Sequence, residues 1–470
     1  MRNQISWLLL ISTIFLSRVL HGQDHPQVLP TAPAAQLFIM AQVGQSQPSG
    51  MLTTSLNSAD PATPLTRRQA EYLAIRNNPR ISVAALLALA QKQIVSETRS
   101  AELPTLDANF TGVGAEEGTR LSSGTLSASR LLNHLGGGVE LNQLITDFGR
   151  THNLIASSSL QAKASEANAQ ATREEIILAV DLAFYSALEA QATAQVAQST
   201  ATARQAVSDQ VTALTASKLK STLDQSFADV NLSQAKLLVL DSQNQANAAM
   251  ARLSEILGSG TLQTYRLVDD NALPTPELPA TPDSLIAVAL QQRPDLQALD
   301  LSHKADQKFS RAQHEQLLPT VSALGIVGGT PIGSNTYFTE NWYGAAGVNI
   351  RVPIFNGLRF SAEATEADLR AKASSERTRD LTNRIARDVR TAWLTASTAR
   401  QRMVVTSELV KQANTALDLA KTRYQLGLSS IVELSQAQLQ QTEAQIEDAN
   451  ARFEFEADTA TLRFQTASQP

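Results

Sequence analysis

Leu103-Pro104-Thr105-Leu106-Asp107-Ala108-Asn109-Phe110-Thr111-Gly112 has a counterpart 215 positions later in Leu318-Pro319-Thr320, followed by a strand pattern near Val321 to Val327. Asn78-Pro79 and Arg293-Pro294, each after a short helical pattern, keep the same offset. Further on, Ile176, Val180, Ala183, Phe184 and Ala187 align with Ile385, Val389, Ala392, Trp393 and Ala396 at an offset of 209. The order is kept and the offset changes only once, which marks an internal duplication. The six-residue difference falls between Thr105 and Val139, so the first unit is expected to carry the longer central loop.

Inside each unit the period changes. Leu106, Ala108, Phe110 and Gly112 alternate with Asp107, Asn109 and Thr111, and Val139 and Leu141 alternate with Glu140 and Asn142. The second unit repeats this in Val348, Ile350 and Val352 against Asn349 and Arg351. Such period-two runs read as strands, one hairpin per unit and four strands per chain. Around them the pattern is helical and long. From Arg150 to about Lys218, and from Leu358 to about Leu426, neither Pro nor Gly interrupts the run. Helices of that length span roughly 100 Å. Their narrow apolar stripes must pack on neighbours along the whole length.

The remaining segments give the organisation. Met1 and Arg2 precede an apolar run from Ile5 to Leu20, the pattern of an export signal over 1–22. Residues 23–64, rich in Pro, Gln, Ser and Thr, read as a linker. The first repeat is expected over 65–270, a Pro-rich connector over 271–282, and the second repeat over 283–470.

Composition excludes several functions. The chain has 470 residues, 43% of them hydrophobic, a net charge of −5 and no cysteine. Without a basic cluster, nucleic-acid binding is not expected. Without Cys there is no disulfide, thiolate metal site, Cys nucleophile or Cys-linked lipid. Asp147-Phe148-Gly149 spells a kinase metal motif, but no catalytic-loop sequence accompanies it, and it reads as a strand-to-helix turn. Gly325 to Gly329 lacks the Lys-Ser/Thr ending of a phosphate loop. The six histidines, His303 and His314 included, show no metal-ligand spacing. No catalytic residue, cofactor or metal is therefore expected.

No stretch after the signal reads as an apolar transmembrane helix, so a membrane location requires strands. Two hairpins in one chain leave open edges, which lipid does not tolerate, and copies must pool their strands. Two copies fill a barrel with side chains, whereas three give about twelve strands and room for a lumen. The long helices then continue the tube outside the membrane.

At this point the chain resembles the TolC-type outer-membrane efflux proteins over nearly all of Leu65 to Ser468. The segments that carry the likeness are Val352-Pro353-Ile354-Phe355-Asn356-Gly357 and Arg423-Tyr424-Gln425-Leu426-Gly427-Leu428-Ser429-Ser430-Ile431-Val432-Glu433. Their first-unit counterparts are Gln143-Leu144-Ile145-Thr146-Asp147-Phe148-Gly149 and Lys218-Leu219-Lys220-Ser221-Thr222-Leu223-Asp224. The resemblance implies a mainly α protein with a β-barrel portion. It also implies a homotrimer with a twelve-stranded barrel in outer-membrane lipid and an α-helical barrel in the periplasm. Its tip meets a periplasmic adaptor linked to an inner-membrane transporter, in tripartite efflux or type I secretion.

The resemblance also assigns a pore entrance at the turns between long helices. Tyr424 falls on the family's linking Tyr, with Asp224 as its acidic hydrogen-bond partner. Glu433 falls on a pore-facing acidic position, whereas Gln436 occupies the second acidic position and Ser429 the Arg position. Lys218, Leu219, Gly427, Leu428 and Ser429 form the adaptor-contact tip, with Gly427 supplying a permissive backbone and Lys218 in its place in the first unit. The missing Cys departs from the lipid-anchored branch. The competing reading is a periplasmic adaptor or coiled-coil interaction protein without a channel, which should carry one helical hairpin inserted in a β-rich domain.

Overall fold

A computed structural model describes residues 63–114, 120–121, 129–130, 134–259, 265–269, 278–279, 281–329 and 342–467. The export signal, the linker up to residue 62 and most of the 271–282 connector lie outside the described residues. Thr63 and Pro64 differ from the linker expectation. With Leu65 they form strand β1 (Thr63–Leu65), which pairs in parallel with β6 (Tyr265–Leu267) and ties the start of the first unit to its end.

The duplication is visible element by element. The first unit contains helices α1 (Arg67–Asn77) and α2 (Pro79–Ser100) and strand β2 (Thr105–Val113). A short ribbon of β3 (Arg120–Leu121) and β4 (Ser129–Arg130) precedes β5 (His134–Thr146), and then come α3 (Arg150–Ala216) and α4 (Thr222–Ile256). The second contains α5 (Asp283–Gln292), α6 (Pro294–His314), β7 (Thr320–Gly329), β8 (Trp342–Arg351), α7 (Arg359–Gln425) and α8 (Ile431–Gln465). Both long helices have 67 residues and both that follow have 35. The segment between β2 and β5 is the longer of the two central loops, as the offsets require.

Prolines break the short helices where the sequence placed them. Pro79 cannot continue α1, so Asn78 turns extended (ψ 121°) and its side chain accepts a hydrogen bond from the Arg80 amide at 2.9 Å, starting α2. Pro294 opens α6 the same way, after an extended Arg293.

Strands β2, β5, β7 and β8 form one antiparallel sheet in that order. The register aligns Leu106, Leu141, Gly325 and Ala346 in one rung and Ala108, Val139, Val327 and Gly344 in the next. One face is therefore apolar across all four strands, and its outermost side chains stand free, with Phe110 85% and Leu106 69% exposed. The opposite face is the more polar one: it carries Thr105 against Asn142, Asp107 against Glu140, Ser322 against Asn349 and Thr320 against Arg351, with Leu324, Ile326 and Ala345 between them on β7 and β8. On that face the Tyr343 hydroxyl lies where a Cβ on Gly328 would stand, at 2.6 Å, so the backbone must be bare there.

The helices form a wall one layer thick. Near the sheet the order is α2, α3, α6, α7, and farther away it is α4, α3, α8, α7. Polar bridges mark the seams: Ser157 Oγ donates to the Ala305 carbonyl at 2.8 Å, His303 Nδ1 meets Ser374 Oγ at 2.9 Å, and Ser208 Oγ donates to Asp229 Oδ1 at 2.7 Å. The residues aligned by the duplication are core in both units. Ile176, Val180 and Ala187 are buried in the first, and Ile385, Val389 and Ala396 in the second. Trp393 instead uses its indole N–H to hold the connector, donating to the Pro279 carbonyl at 3.0 Å.

One expectation needs correction. A window of α3 is long and apolar enough to cross a membrane by length and composition. Its apolar residues Ile176, Val180, Phe184 and Leu188 pack in a core with Ala74, Leu253 and Phe453 from α1, α4 and α8, which accounts for the hydropathy.

Beside this core, Arg67 is buried between Glu71 and Asp181, with Arg67 Nη1 3.4 Å from Asp181 Oδ2. Two carboxylates share one guanidinium. Burial first, and then the Glu71 charge, push the Asp181 carboxyl up to about 7 against the pull of Arg67. A carboxyl raised above its unfolded value contributes stability that is full below about pH 4 and is lost as pH rises through about 7. The thermal midpoint is expected to fall between about pH 6 and pH 8, and Asp181→Asn to flatten that fall. Calorimetry at the two pH values checks it.

Candidate channel entrance

The two turns farthest from the sheet, α3 to α4 and α7 to α8, are built alike. Leu219 N–H donates to the Leu214 carbonyl at 2.8 Å and Lys218 N–H to Thr215 at 2.9 Å. In the second unit Leu428 N–H donates to Arg423 at 2.8 Å and Gly427 N–H to Tyr424 at 3.1 Å. Both patterns are Schellman closures, which need a left-handed residue after the C-cap. Lys218 (φ 59°) and Gly427 (φ 75°) take that place, so the sequence parallel between them holds in the backbone. Nothing stands within 4 Å of a Cβ built on Gly427, so Gly427→Ala is a pure backbone test. It is expected to cost about 1–2 kcal/mol. Lys218→Gly is expected to stabilise its turn by less, because glycine's unfolded-state entropy offsets part of the relief. Amide hydrogen exchange at each turn checks both.

The helices that leave the turns start on serines. Ser221 Oγ accepts from Asp224 N–H at 3.1 Å, and Asp224 Oδ2 accepts from Ser221 N–H at 3.2 Å, a reciprocal capping box. Ser430 Oγ accepts from Glu433 N–H at 3.3 Å, but the Glu433 carboxylate turns outward. It accepts from Arg423 Nε at 2.9 Å, closing an ion pair across the turn.

These contacts revise the expected entrance. Tyr424 and Asp224 are not hydrogen-bonded: the Asp224 carboxylate is committed to Ser221, and among the described residues the buried Tyr424 hydroxyl has no partner. Tyr424 is 4% exposed and sits with Val211, Ala228, Ile431 and Leu434, the core that joins the two hairpin tips. Lys220 Nζ lies 4.2 Å from the centre of its ring. Burial, and then the Asp224 charge, raise the Tyr424 phenol pKa. Glu433 is half-exposed but already paired within its own protomer. Gln436, one turn along α8, is exposed on the same side. Lys218, Leu219, Gly427 and Leu428 are exposed at the tips, whereas Ser429 is half-buried with an unpartnered hydroxyl.

Arg423 and Lys220 are the site residues that sequence reading missed. A cation in the last turn of α7 and an acid in the first turn of α8 complement the helix dipoles, and that signal was available for Arg423. Among the described residues, no group of His, Asp and Glu is arranged to hold a metal ion.

The described residues form a strip of wall four strands and four helices wide, apolar on one sheet face, with entrance-like turns at the far end. Known proteins share it. The outer membrane efflux protein family model matches residues 71–259 and 285–467, one segment in each unit. The outer membrane protein OprJ of Pseudomonas aeruginosa is 24% identical over 87% of this chain and 85% of its own length. The outer membrane efflux protein BepC of Brucella suis biovar 1 is 21% identical over 78% of this chain and 77% of its own. The crystal structure of a membrane protein from Pseudomonas aeruginosa superposes with a TM-score of 0.76 at 22% identity, over 85% of this chain and 93% of that one. With both repeats matched, in order and over nearly their full length, the chain belongs to the outer membrane efflux protein family.

Proposed function

We propose that three copies of the chain close into a conduit through the outer membrane and the periplasm, passing cargo delivered by an inner-membrane transporter through a periplasmic adaptor. The observation that carries this reading is that both layers are open on the same two sides. Among the described residues, β2 and β8 have each one unpaired edge in the sheet. In the wall, α2 and α4 end one side and α7 the other. Those flanks expose apolar side chains, among them Leu86 and Leu87 on α2, Leu237 and Leu240 on α4, and Val404 and Val405 on α7. An unpaired strand edge cannot face lipid, so β8 of one copy pairs with β2 of the next while α7 meets α2 and α4. Three copies of four strands give a twelve-stranded barrel wide enough for a lumen. The apolar sheet face then meets lipid and the polar face lines the passage.

The two tips, with Lys218, Leu219, Gly427, Leu428 and Ser429, form the surface offered to the adaptor. Glu433, Gln436, Tyr424 and Asp224 form the entrance. Density-gradient fractionation followed by mass measurement in detergent tests the assembly. Outer-membrane recovery and a trimer mass are expected, and a soluble monomer contradicts the reading.

The Arg423–Glu433 pair sets the charge of that entrance. Arg423→Ala leaves Glu433 uncompensated, and single channels are expected to shift toward cations. Glu433→Gln leaves Arg423 uncompensated, and they are expected to shift toward anions. The pair is half-exposed, so stability should change by less than about 1 kcal/mol in either variant. Reversal potentials in a salt gradient check the opposite signs; a common sign in both variants removes the pair from ion selection.

A further inference from the structure

The polar face of the sheet meets the helices in a recess of about 450 Å³, lined among others by Thr105, Asn142, Thr320, Asn349, Arg150 and Arg351. Its charges do not cancel. Asp147 is the one acid in its lining against Arg150 and Arg351, and that carboxylate accepts from Thr151 N–H at 2.7 Å, Thr151 Oγ1 at 2.6 Å and Gly149 N–H at 3.3 Å, which ties it to the strand-to-helix turn. Among the described residues, Arg150 Nε is buried without a hydrogen-bond partner. On its other side Arg150 borders Arg359 and Arg370, each already paired, with Glu363 and Glu366. Arg351 ends β8 on the polar face, and among the described residues it makes no ion pair. Glu315 stands beside Gly149 but accepts from the Asn153 amide at 2.8 Å, and farther out on the sheet face Asp107 and Glu140 oppose each other two positions along their strands from Thr105 and Asn142, about 7 Å away.

We infer that this recess is an anion station inside the conduit, where Arg150 and Arg351 receive the carboxylate, sulfonate or phosphate group of a passing cargo. The inference rests on the reading of the polar face as the lumen. Two guanidiniums with free N–H groups present the planar, two-point donor geometry that oxyanions accept. The Asn142 and Asn349 amides and the Thr320 hydroxyl add neutral donors around the same space. Repeated in each copy, the station lies where sheet passes into helix, so every cargo that leaves the helical tube must pass it. The opposed acids one step beyond keep binding weak enough for release, as conduction requires. The entrance at the tips and this station are the two ends of the helical section and act on charge independently.

Inorganic sulfate is the probe. Single-channel chloride current through the purified wild-type assembly is expected to be reduced by added sulfate. Half-block is expected to need about tenfold more sulfate in Arg351→Gln, and more again when Arg150→Gln is added, from the loss of charge-assisted hydrogen bonds. Arg351→Lys keeps the charge and is expected to retain part of the block. Wild-type current indifferent to sulfate overturns the proposal, even if the variants fail to assemble. Equal block in wild type and Arg351→Gln overturns it as well. A wild-type assembly that carries no current overturns the conduit reading itself, and the station with it.

Discussion

Arginine in place of Val139 is expected to keep the chain out of lipid. Val139 lies in the middle of β5, between Ala108 on one neighbouring strand and Val327 on the other, on the face that is apolar across the whole sheet. An arginine on a lipid-facing strand position near the bilayer middle costs about 2–4 kcal/mol. Every copy in the assembly pays it, and the loss of two paired neighbours' packing adds to it. Glu140, the next residue, points to the opposite face, so Glu140→Arg should insert almost normally. Flotation of refolded protein with lipid vesicles separates the two variants. Equal flotation would mean that the apolar face is not the membrane face.

The second large effect is expected at the tips. Tyr424 fills the core between the two helical hairpins, and Tyr424→Ala removes its ring from Val211, Ala228, Ile431 and Leu434. Removing a buried aromatic costs about 3–5 kcal/mol, and the low end applies here because no hydrogen bond of the hydroxyl is lost. That core joins the tips in one protomer, together with the Asn231 Nδ2 to Ser435 Oγ bond at 2.7 Å, so its loss loosens the entrance. Faster amide exchange over residues 211–228 and 420–434 and a larger single-channel conductance are expected together. Tyr424→Phe is the contrast. A hydroxyl latch on Asp224 would make it open the channel, whereas a packed ring with an unpartnered hydroxyl makes it nearly silent, or slightly stabilising. A conductance in Tyr424→Phe equal to that of Tyr424→Ala would restore the latch.

Much of the architecture was legible because it rests on chain-local rules. The uninterrupted run from Arg150 to about Lys218 became a helix ending at Ala216, and the run from Leu358 became one starting at Arg359. Pro79 and Pro294 fixed two breaks, and alternation located β8 around Val348 to Arg351, with β7 near Val321 to Val327 as its hairpin partner. The entrance was legible only in outline. Family likeness picked out Tyr424, Asp224 and Glu433, yet Asp224 bonds Ser221 in place of Tyr424, the Tyr424 hydroxyl has no partner among the described residues, and Glu433 is paired with Arg423.

Asp224 stands three residues after Ser221, and the local capping box outcompetes a bond to a distant phenol. Glu433 lies close enough to Arg423 across a tight turn for a pair to form before any second copy arrives. Tyr424 is buried because it packs against Val211 and Ala228 of the other hairpin, which no spacing within one helix reveals. Lys220 over its ring follows from the same packing. Thr63 and Pro64 escaped for another reason: three residues are too few to show a period, and their partner is Tyr265 to Leu267, far along the chain.

Planar-bilayer recording of the purified wild-type assembly tests the central claim most directly. Discrete, long-lived conductance steps from protein of trimer mass are what a closed barrel with a continuous lumen predicts. Correctly assembled protein that inserts in the bilayer and passes no current, at any voltage the membrane withstands, would contradict it.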